Sequence, residues 1–292
     1  MRERRRQKGV PFTPSREFAF AGARFFGLIS ARDAATESPS VHPIEPFLAL
    51  FLAHLIGDFV LQTEQMALKK GHVFGWLILH ALELGLLTWL FCWRFDAWPV
   101  VAVVFLTHLV FDWVKPRLKG HPLKWYAVDQ IAHVVTLGVC AAWMVKSLPL
   151  ASMPISAILP PSAQVILAAY LTILRPLTIG MGLFLKPWLD ELAAANGGAH
   201  AGSEGPITGL TRSSEWIGNL ERLFVLTAVL AQIEYLVAGL LVAKAIMRAP
   251  ELFRSEQRRR ADYIILGTFG SVGLAFLVGV LANFALGAYS GS

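Results

Sequence analysis

From Pro43 onward the chain alternates long apolar runs with short polar breaks. The runs show neither the 3.6-residue stripe of a surface helix nor the alternation of a half-buried strand. Seven such segments lie at about 43–62, 74–95, 98–115, 127–146, 162–185, 216–243 and 262–287. A helix needs roughly 20 mostly apolar residues to cross about 30 Å of hydrocarbon, and these runs are of that order. The pattern predicts an all-α fold, a polytopic transmembrane helix bundle of about seven spans. Arg175-Pro176 interrupts the fifth segment, which predicts a kink there, or a re-entrant segment and six spans.

Three regions follow from this pattern. Residues 1–42 read as a basic, flexible N-terminal tail, with Arg2, Arg4, Arg5, Arg6 and Lys8 at its start. Residues 43–146 read as a four-helix membrane core. Residues 147–292 supply the C-terminal helices, with a Gly/Ala-rich loop near 190–212 expected to be mobile.

Composition agrees with burial in lipid. Hydrophobic residues make up 55% of the 292 and charged residues only 16%, against about a quarter in soluble domains. The net charge of +6 comes from cations in the tail and loops. Such cations set topology or meet anionic lipid, so the expected partner is a bilayer and not nucleic acid. The larger share falls on the tail's side of a seven-span arrangement, which includes the run Arg258–Arg260. That side is expected to be cytoplasmic in a bacterial inner membrane, with the opposite ends of the helices at the periplasmic face. Cys92 and Cys140 lie within apolar runs and read as small buried hydrophobes.

The informative residues are polar ones where polarity is costly. The first segment ends in His54 and Asp58, the third in His108 and Asp112, and the fourth opens with Asp129 and His133. Each pair is spaced i, i+4, which puts both side chains on one helix face. The second segment adds His80 near its start, with Glu83 one turn on. Because consecutive spans reverse direction, all of these fall at the same end of the bundle. A central charge costs roughly 2.5–3.5 kcal/mol on insertion scales, so such groups pair, hold an ion or line a wet cavity. One pair alone fits a hydrogen bond that pins two helices. Three pairs at one end favour a functional cluster.

Imidazole and carboxylate together suit a divalent metal such as zinc, manganese or iron. His54, Asp58, His108, Asp112, Asp129 and His133 are the expected ligands. His80 is a further ligand or general base, since histidine is the side-chain type best suited to proton transfer near neutral pH. Lys115 borders this end and is placed to bind an anionic substrate. Glu221 and Arg222, near the start of the sixth segment, are candidates for catalysis and substrate binding respectively. The chemistry this predicts is metal-dependent hydrolysis or group transfer on a lipid-linked or other anionic substrate. A proton- or cation-coupled transporter or channel, and a non-catalytic membrane scaffold, remain open alternatives.

The motifs His54-Leu-Ile-Gly-Asp58-Phe-Val-Leu-Gln62, His80, Thr107-His108-Leu-Val-Phe-Asp112 with Lys115, and Asp129-Gln-Ile-Ala-His133 resemble a bacterial membrane family, domain of unknown function 3307. The resemblance covers about residues 45–145. The segments Glu215-Trp-Ile-Gly-Asn-Leu-Glu221-Arg222 and Asp262-Tyr-Ile-Ile-Leu-Gly267 resemble longer members of it. What it implies is an integral membrane protein without an established activity. A more distant similarity, to membrane-bound metal-dependent hydrolases with His and Asp pairs on their helices, is one of analogy.

Overall fold

In the computed structural model, which describes residues 42–148, 154–195, 206–252 and 258–290, every element is helical. The expected tail, 1–42, lies outside the described residues apart from His42.

Helix α1 (Glu45–Ile56) runs directly into a π-helical turn, Gly57–Leu61. A short α2 (Glu64–Lys69) follows, capped by the Thr63 hydroxyl accepting from Met66 N at 3.2 Å. Then come α3 (Phe74–Cys92), α4 (Trp98–Val114) and α5 (Pro122–Ser147). A one-turn α6 (Pro154–Ile158) leads to α7 (Pro161–Leu174) and α8 (Pro176–Ala195). The last three helices are α9 (Pro206–Leu230), α10 (Tyr235–Leu252) and α11 (Arg258–Ser290). The loop expected near 190–212 is thus partly helical at both ends; residues 196–205 lie outside the described set.

Five stretches are long and apolar enough to cross a membrane: Phe74–Cys92, Phe95–Arg117, Pro122–Ser147, Pro161–Glu191 and Tyr263–Tyr289. They coincide with the second, third, fourth, fifth and seventh segments. Within the fifth, α7 stops at Leu174 and α8 restarts at Pro176, so the interruption is a kink at Arg175-Pro176. The cause is the missing N–H of proline and the clash of its ring with the preceding turn. The first segment is shorter: twelve α-helical residues and five of π turn reach about 25 Å at 1.5 Å per residue.

The sixth segment behaves differently. It is broken after Leu230, where Ile233 N bonds Ala228 O at 2.9 Å and Gln232 N bonds Val229 O at 3.1 Å. This is a Schellman stop, and Gln232 takes the left-handed position it requires, with φ of 59°. Helix α10 then folds back along α9: nine residues before Leu230 and nine after Tyr235, Glu221 and Lys244 meet at 2.6 Å. The polar pair Gln232 and Glu234 in the middle of an otherwise apolar run marks the turn.

The hairpin sets the direction of α11. Arg222 of α9 bonds Ser271 of α11, and Val229 O accepts from Asn283 further along, so α9 and α11 run parallel. Helix α8 runs antiparallel to α11, with Met181 against Gly270 and Leu185 against Gly267. Both α9 and α11 therefore begin at the end of the bundle where α1 finishes and α5 starts. At the other end His42 meets the Tyr289 ring edge-on, with centroids 5.6 Å apart.

Burial divides between two clusters. One, from α1, α3, α4 and α5, centres on Leu50, Leu84, Val104 and Leu137. The other joins α7, α9 and α11 through Ile173, Leu226, Val229 and Ala275. Helix α1 links them, since Leu48 belongs with the second cluster and Leu52 and Leu55 pack with Ala168.

Helix α11 approaches α9 most closely at Gly279, where a Cβ would lie 2.8 Å from Val229 Cγ1 and 2.9 Å from Val229 Cβ. At Gly273 a Cβ would meet nothing within 4 Å. Gly279→Ala should lower the thermal unfolding midpoint in detergent, at a cost of about 1–3 kcal/mol from overpacking a rigid β-branched neighbour. Gly273→Ala should not lower it. Equal midpoints would contradict the close approach.

A candidate metal centre

Four helices bring their polar pairs to one place. His54 and Asp58 come from α1 and its π turn, His80 and Glu83 from α3, His108 and Asp112 from α4, Asp129 and His133 from α5. The four imidazoles are at most 2% exposed, and the Asp112 and Asp129 residues 5% and 7%. The helices alternate in direction, so an exit on one lies beside an entry on the next.

Local sequence explains how they approach. Gly57 faces Leu84 so closely that a Cβ there would lie 2.6 Å from Leu84 Cδ1. Absence of a side chain lets the end of α1 settle against α3, and Asp58 follows at once. The π turn then re-aims the backbone, a device that recurs at functional sites. His80 Nε2 reaches Asp58 Oδ1 at 3.0 Å and Asp112 Oδ2 at 3.5 Å. Its Nδ1 lies 3.7 Å from Glu83 Oε2.

Three rings gather at the centre. The centroids of His108 and His133 are 4.1 Å apart, those of His54 and His133 5.2 Å, and those of His54 and His108 5.4 Å. His108 Nδ1 lies 2.8 Å from Val104 O, which can only accept, so that nitrogen carries the proton. His108 Nε2 is then a lone pair, and His54 Nδ1 at 3.3 Å donates to it. This chain of tautomers leaves His54 Nε2 as a lone pair. Both His54 Nε2 and His133 Nε2 are buried without a hydrogen-bond partner.

The carboxylates differ in how their charge is met. Lys70 Nζ lies 2.9 Å from Asp112 Oδ2, and Lys115 Nζ 2.7 Å from Asp129 Oδ2. Gln130 adds a weaker bond to Asp129 at 3.3 Å. Among the described residues, Asp58 has only imidazoles within ion-pair reach: His80 at 3.0 Å, His54 at 3.8 Å and His108 at 3.9 Å. One ligand atom from each of His54, Asp58 and His133 fits within a set whose members are all within 4.8 Å of one another. That group could hold a metal ion.

Of the expected ligands, the remaining three sit around this trio in other bonds. His108 orients His54, Asp112 meets Lys70 and His80, and Asp129 meets Lys115. Lys115 also stands over the Tyr126 ring at 5.5 Å. The Tyr126 hydroxyl donates to Pro176 O at 2.9 Å, tying α5 to the kink between α7 and α8.

Glu221 and Arg222 lie elsewhere, on the far side of α8. Glu221 is taken by Lys244, while the buried Arg222 donates to Ser271 Oγ (2.8 Å), Thr178 Oγ1 (2.7 Å) and Asn219 Oδ1 (2.5 Å). The structure therefore gathers His80 and Lys115 with the six expected ligands and leaves Glu221 and Arg222 apart.

Two contributors escape sequence reasoning. Lys70, at the end of α2, reads as a loop cation. Gln62, with its amide nitrogen toward the backbone, donates to Asp58 O at 3.1 Å and accepts from Lys70 Nζ at 2.9 Å. The one available signal is its place four residues after Asp58, one turn further along the same face.

Comparison with known proteins adds a family and no activity. Neither the curated proteins nor the solved structures contain a match to this chain. Residues 47–158 match the model of a family described as protein of unknown function, DUF3307. Every residue of the cluster lies inside that stretch.

Proposed function

We propose that the protein is an integral membrane protein of the bacterial inner membrane that binds a divalent transition metal through His54, Asp58 and His133. In this reading it uses the metal to hydrolyse or transfer a group on an anionic, lipid-linked substrate. The observation that supports it best is Asp58, a buried carboxylate with no described lysine or arginine in ion-pair reach, grouped with His54 and His133, each of which has a buried Nε2 without a hydrogen-bond partner. A buried anion without a matching cation is costly, and a bound metal would meet both needs at once.

Two His and one carboxylate form a three-ligand set of the kind that leaves a coordination position open. A metal held there supplies Lewis acidity and a nucleophile at neutral pH. The chain's own residues do the rest. His80, 3.0 Å from Asp58, is placed to accept a proton from an attacking group. Lys70 and Lys115 flank the trio and would bind the anionic part of a substrate, releasing Asp112 and Asp129 as they turn toward it. Asp112, Asp129 and His108 are available to complete a second metal position, the arrangement that stabilises attacking and leaving oxygens in phosphoester chemistry. Glu221 and Arg222, apart from the trio, have no role in this step.

A transport reading has one observation in its favour. The α9–α10 hairpin is a broken pair of helices of the kind that lines transport sites. On that reading Asp58 exchanges a proton or cation with its imidazole neighbours. A pH-responsive flux in proteoliposomes, abolished by Asp58→Asn, would favour it over metal hydrolysis.

Elemental analysis of detergent-purified protein should find at least one equivalent of transition metal per chain. His133→Ala and Asp58→Ala should reduce this more than tenfold, and Lys115→Met should retain it. Well-folded protein that carries no metal, and takes none up from zinc or manganese buffers, would defeat the proposal. Inorganic phosphate should bind the metal-loaded protein, and Lys70→Met with Lys115→Met should raise its Kd by about a hundredfold, the scale of two lost charge-assisted hydrogen bonds. Unchanged phosphate affinity in the double variant would remove the lysines from substrate recognition.

A further inference from the structure

We infer that the His/Asp end of the bundle faces the cytoplasm, opposite to the side that a count over seven alternating spans assigns it. The inference rests on the helical hairpin and on where cations fall once the hairpin is taken into account. In a seven-span arrangement the sixth segment crosses, so the cations from Lys244 to Arg260 join the N-terminal tail at one face. The hairpin removes that crossing. Helix α10 returns toward the start of α9, as the 2.6 Å pair between Lys244 and Glu221 requires. Helix α11 then departs from the same end, parallel to α9, as the bonds Arg222–Ser271 and Asn283–Val229 show.

The redistribution is lopsided. Among the described residues, Arg94, after α3, and Lys146, at the end of α5, stand at the far end. Every other described lysine and arginine belongs to the His/Asp end. Lys69 and Lys70 follow the π turn, and Lys115, Arg117, Lys119 and Lys124 lie between α4 and α5. Arg258, Arg259 and Arg260 open α11. Cations in short loops next to apolar helices hold the cytoplasmic side, because their translocation is unfavourable. The eight cations within residues 1–42 do not restore the balance toward the far end.

Several of these cations are also placed as interfacial anchors. Lys69 stands over Trp76 at 5.7 Å, Arg117 over Trp113 at 4.2 Å and Lys124 over Trp125 at 5.1 Å. Cation and aromatic ring side by side suit the headgroup layer, and an anionic inner leaflet rewards them. A consequence for the ligand rests on the metal reading above: ion and anionic substrate would reach the pocket from the cytosol or from the cytoplasmic leaflet.

Single-cysteine labelling tests the topology without reference to any metal. Lys119→Cys, Arg258→Cys and Ser147→Cys, each in the full chain expressed in bacterial cells, would be probed with a membrane-impermeant maleimide before and after permeabilisation. Cys92 and Cys140 are buried, and unsubstituted protein gives the background. Expected is labelling of Ser147→Cys in intact cells, and of Lys119→Cys and Arg258→Cys only after permeabilisation. Labelling of Lys119→Cys in intact cells overturns the orientation. Arg258→Cys on the opposite side from Lys119→Cys overturns the hairpin topology beneath it. Ser147→Cys and Lys119→Cys on the same side would mean that α5 does not cross, and would overturn both. Each result leaves the metal content of the same protein as an independent measurement.

Discussion

A carboxylate buried among helices has to be matched by positive charge close at hand, because the surrounding apolar medium will not screen it. Within the His/Asp cluster that requirement is met in different ways. Asp112 is matched by Lys70, brought back by the short α2, and Asp129 by Lys115, brought in by the turn after α4. Asp58 receives only imidazoles. The glycine that lets α1 approach α3, the π turn that carries Asp58 and the alternation of helix direction all converge on this one unmatched group. A scaffold whose polar pairs merely pin helices would have no reason to concentrate three rings around it while leaving the Nε2 atoms of His54 and His133 without partners.

The second buried charge is handled by different means. Arg222 donates to three neutral oxygens, from Ser271, Thr178 and Asn219, and Glu221 beside it in sequence turns to Lys244. Adjacent residues on a helix point about 100° apart, so the two cannot serve one site. Helix α8 separates this network from the His/Asp cluster, with Thr178 on the Arg222 side and Gly180 against the Tyr126 ring. The carboxylate-rich cluster and the Arg222 network are joined through the kink at Arg175-Pro176. Movement of that kink would be felt at both, through Tyr126 and Lys115 on one side and Thr178 on the other.

Much of the candidate site was legible because i, i+4 spacing and alternating helix direction are geometric consequences of a polytopic helix bundle. His54, His80, His108, Asp112, Asp129 and His133 meet where those two rules place them. Lys70 was not legible, since nothing in Lys69-Lys70 distinguishes a cation that folds back onto a carboxylate from one that stays in solvent. The break after Leu230 was legible only in part. Hydropathy averages over Gln232 and Glu234, whereas the backbone treats them as a stop, with Gln232 in the left-handed conformation that closes the Schellman motif. Glu221 and Arg222 looked like companions of the site because depth can be inferred from order along the chain, while azimuth around the bundle cannot. The kink at Pro176 could be read directly, proline being one of the few residues whose effect on a helix does not depend on its neighbours.

Whether a proton or a metal completes the site turns on the outer nitrogens. A proton shared between Asp58 and His80 would neutralise the carboxylate, since the two are 3.0 Å apart. It would do nothing for His54 Nε2 and His133 Nε2, which are buried and without partners. If instead each of those rings were protonated, its Nε2–H would become a buried donor with no acceptor, a group whose desolvation costs about 1–3 kcal/mol. A cation bound by both rings would meet His54 and His133 and oppose the Asp58 charge in one step. The tautomer of His54, set by His108 and ultimately by Val104 O, leaves a lone pair on its Nε2. Orientation of a ligand through its other ring nitrogen is how metal-binding histidines are held, and it is the feature of this cluster that a proton relay would not need.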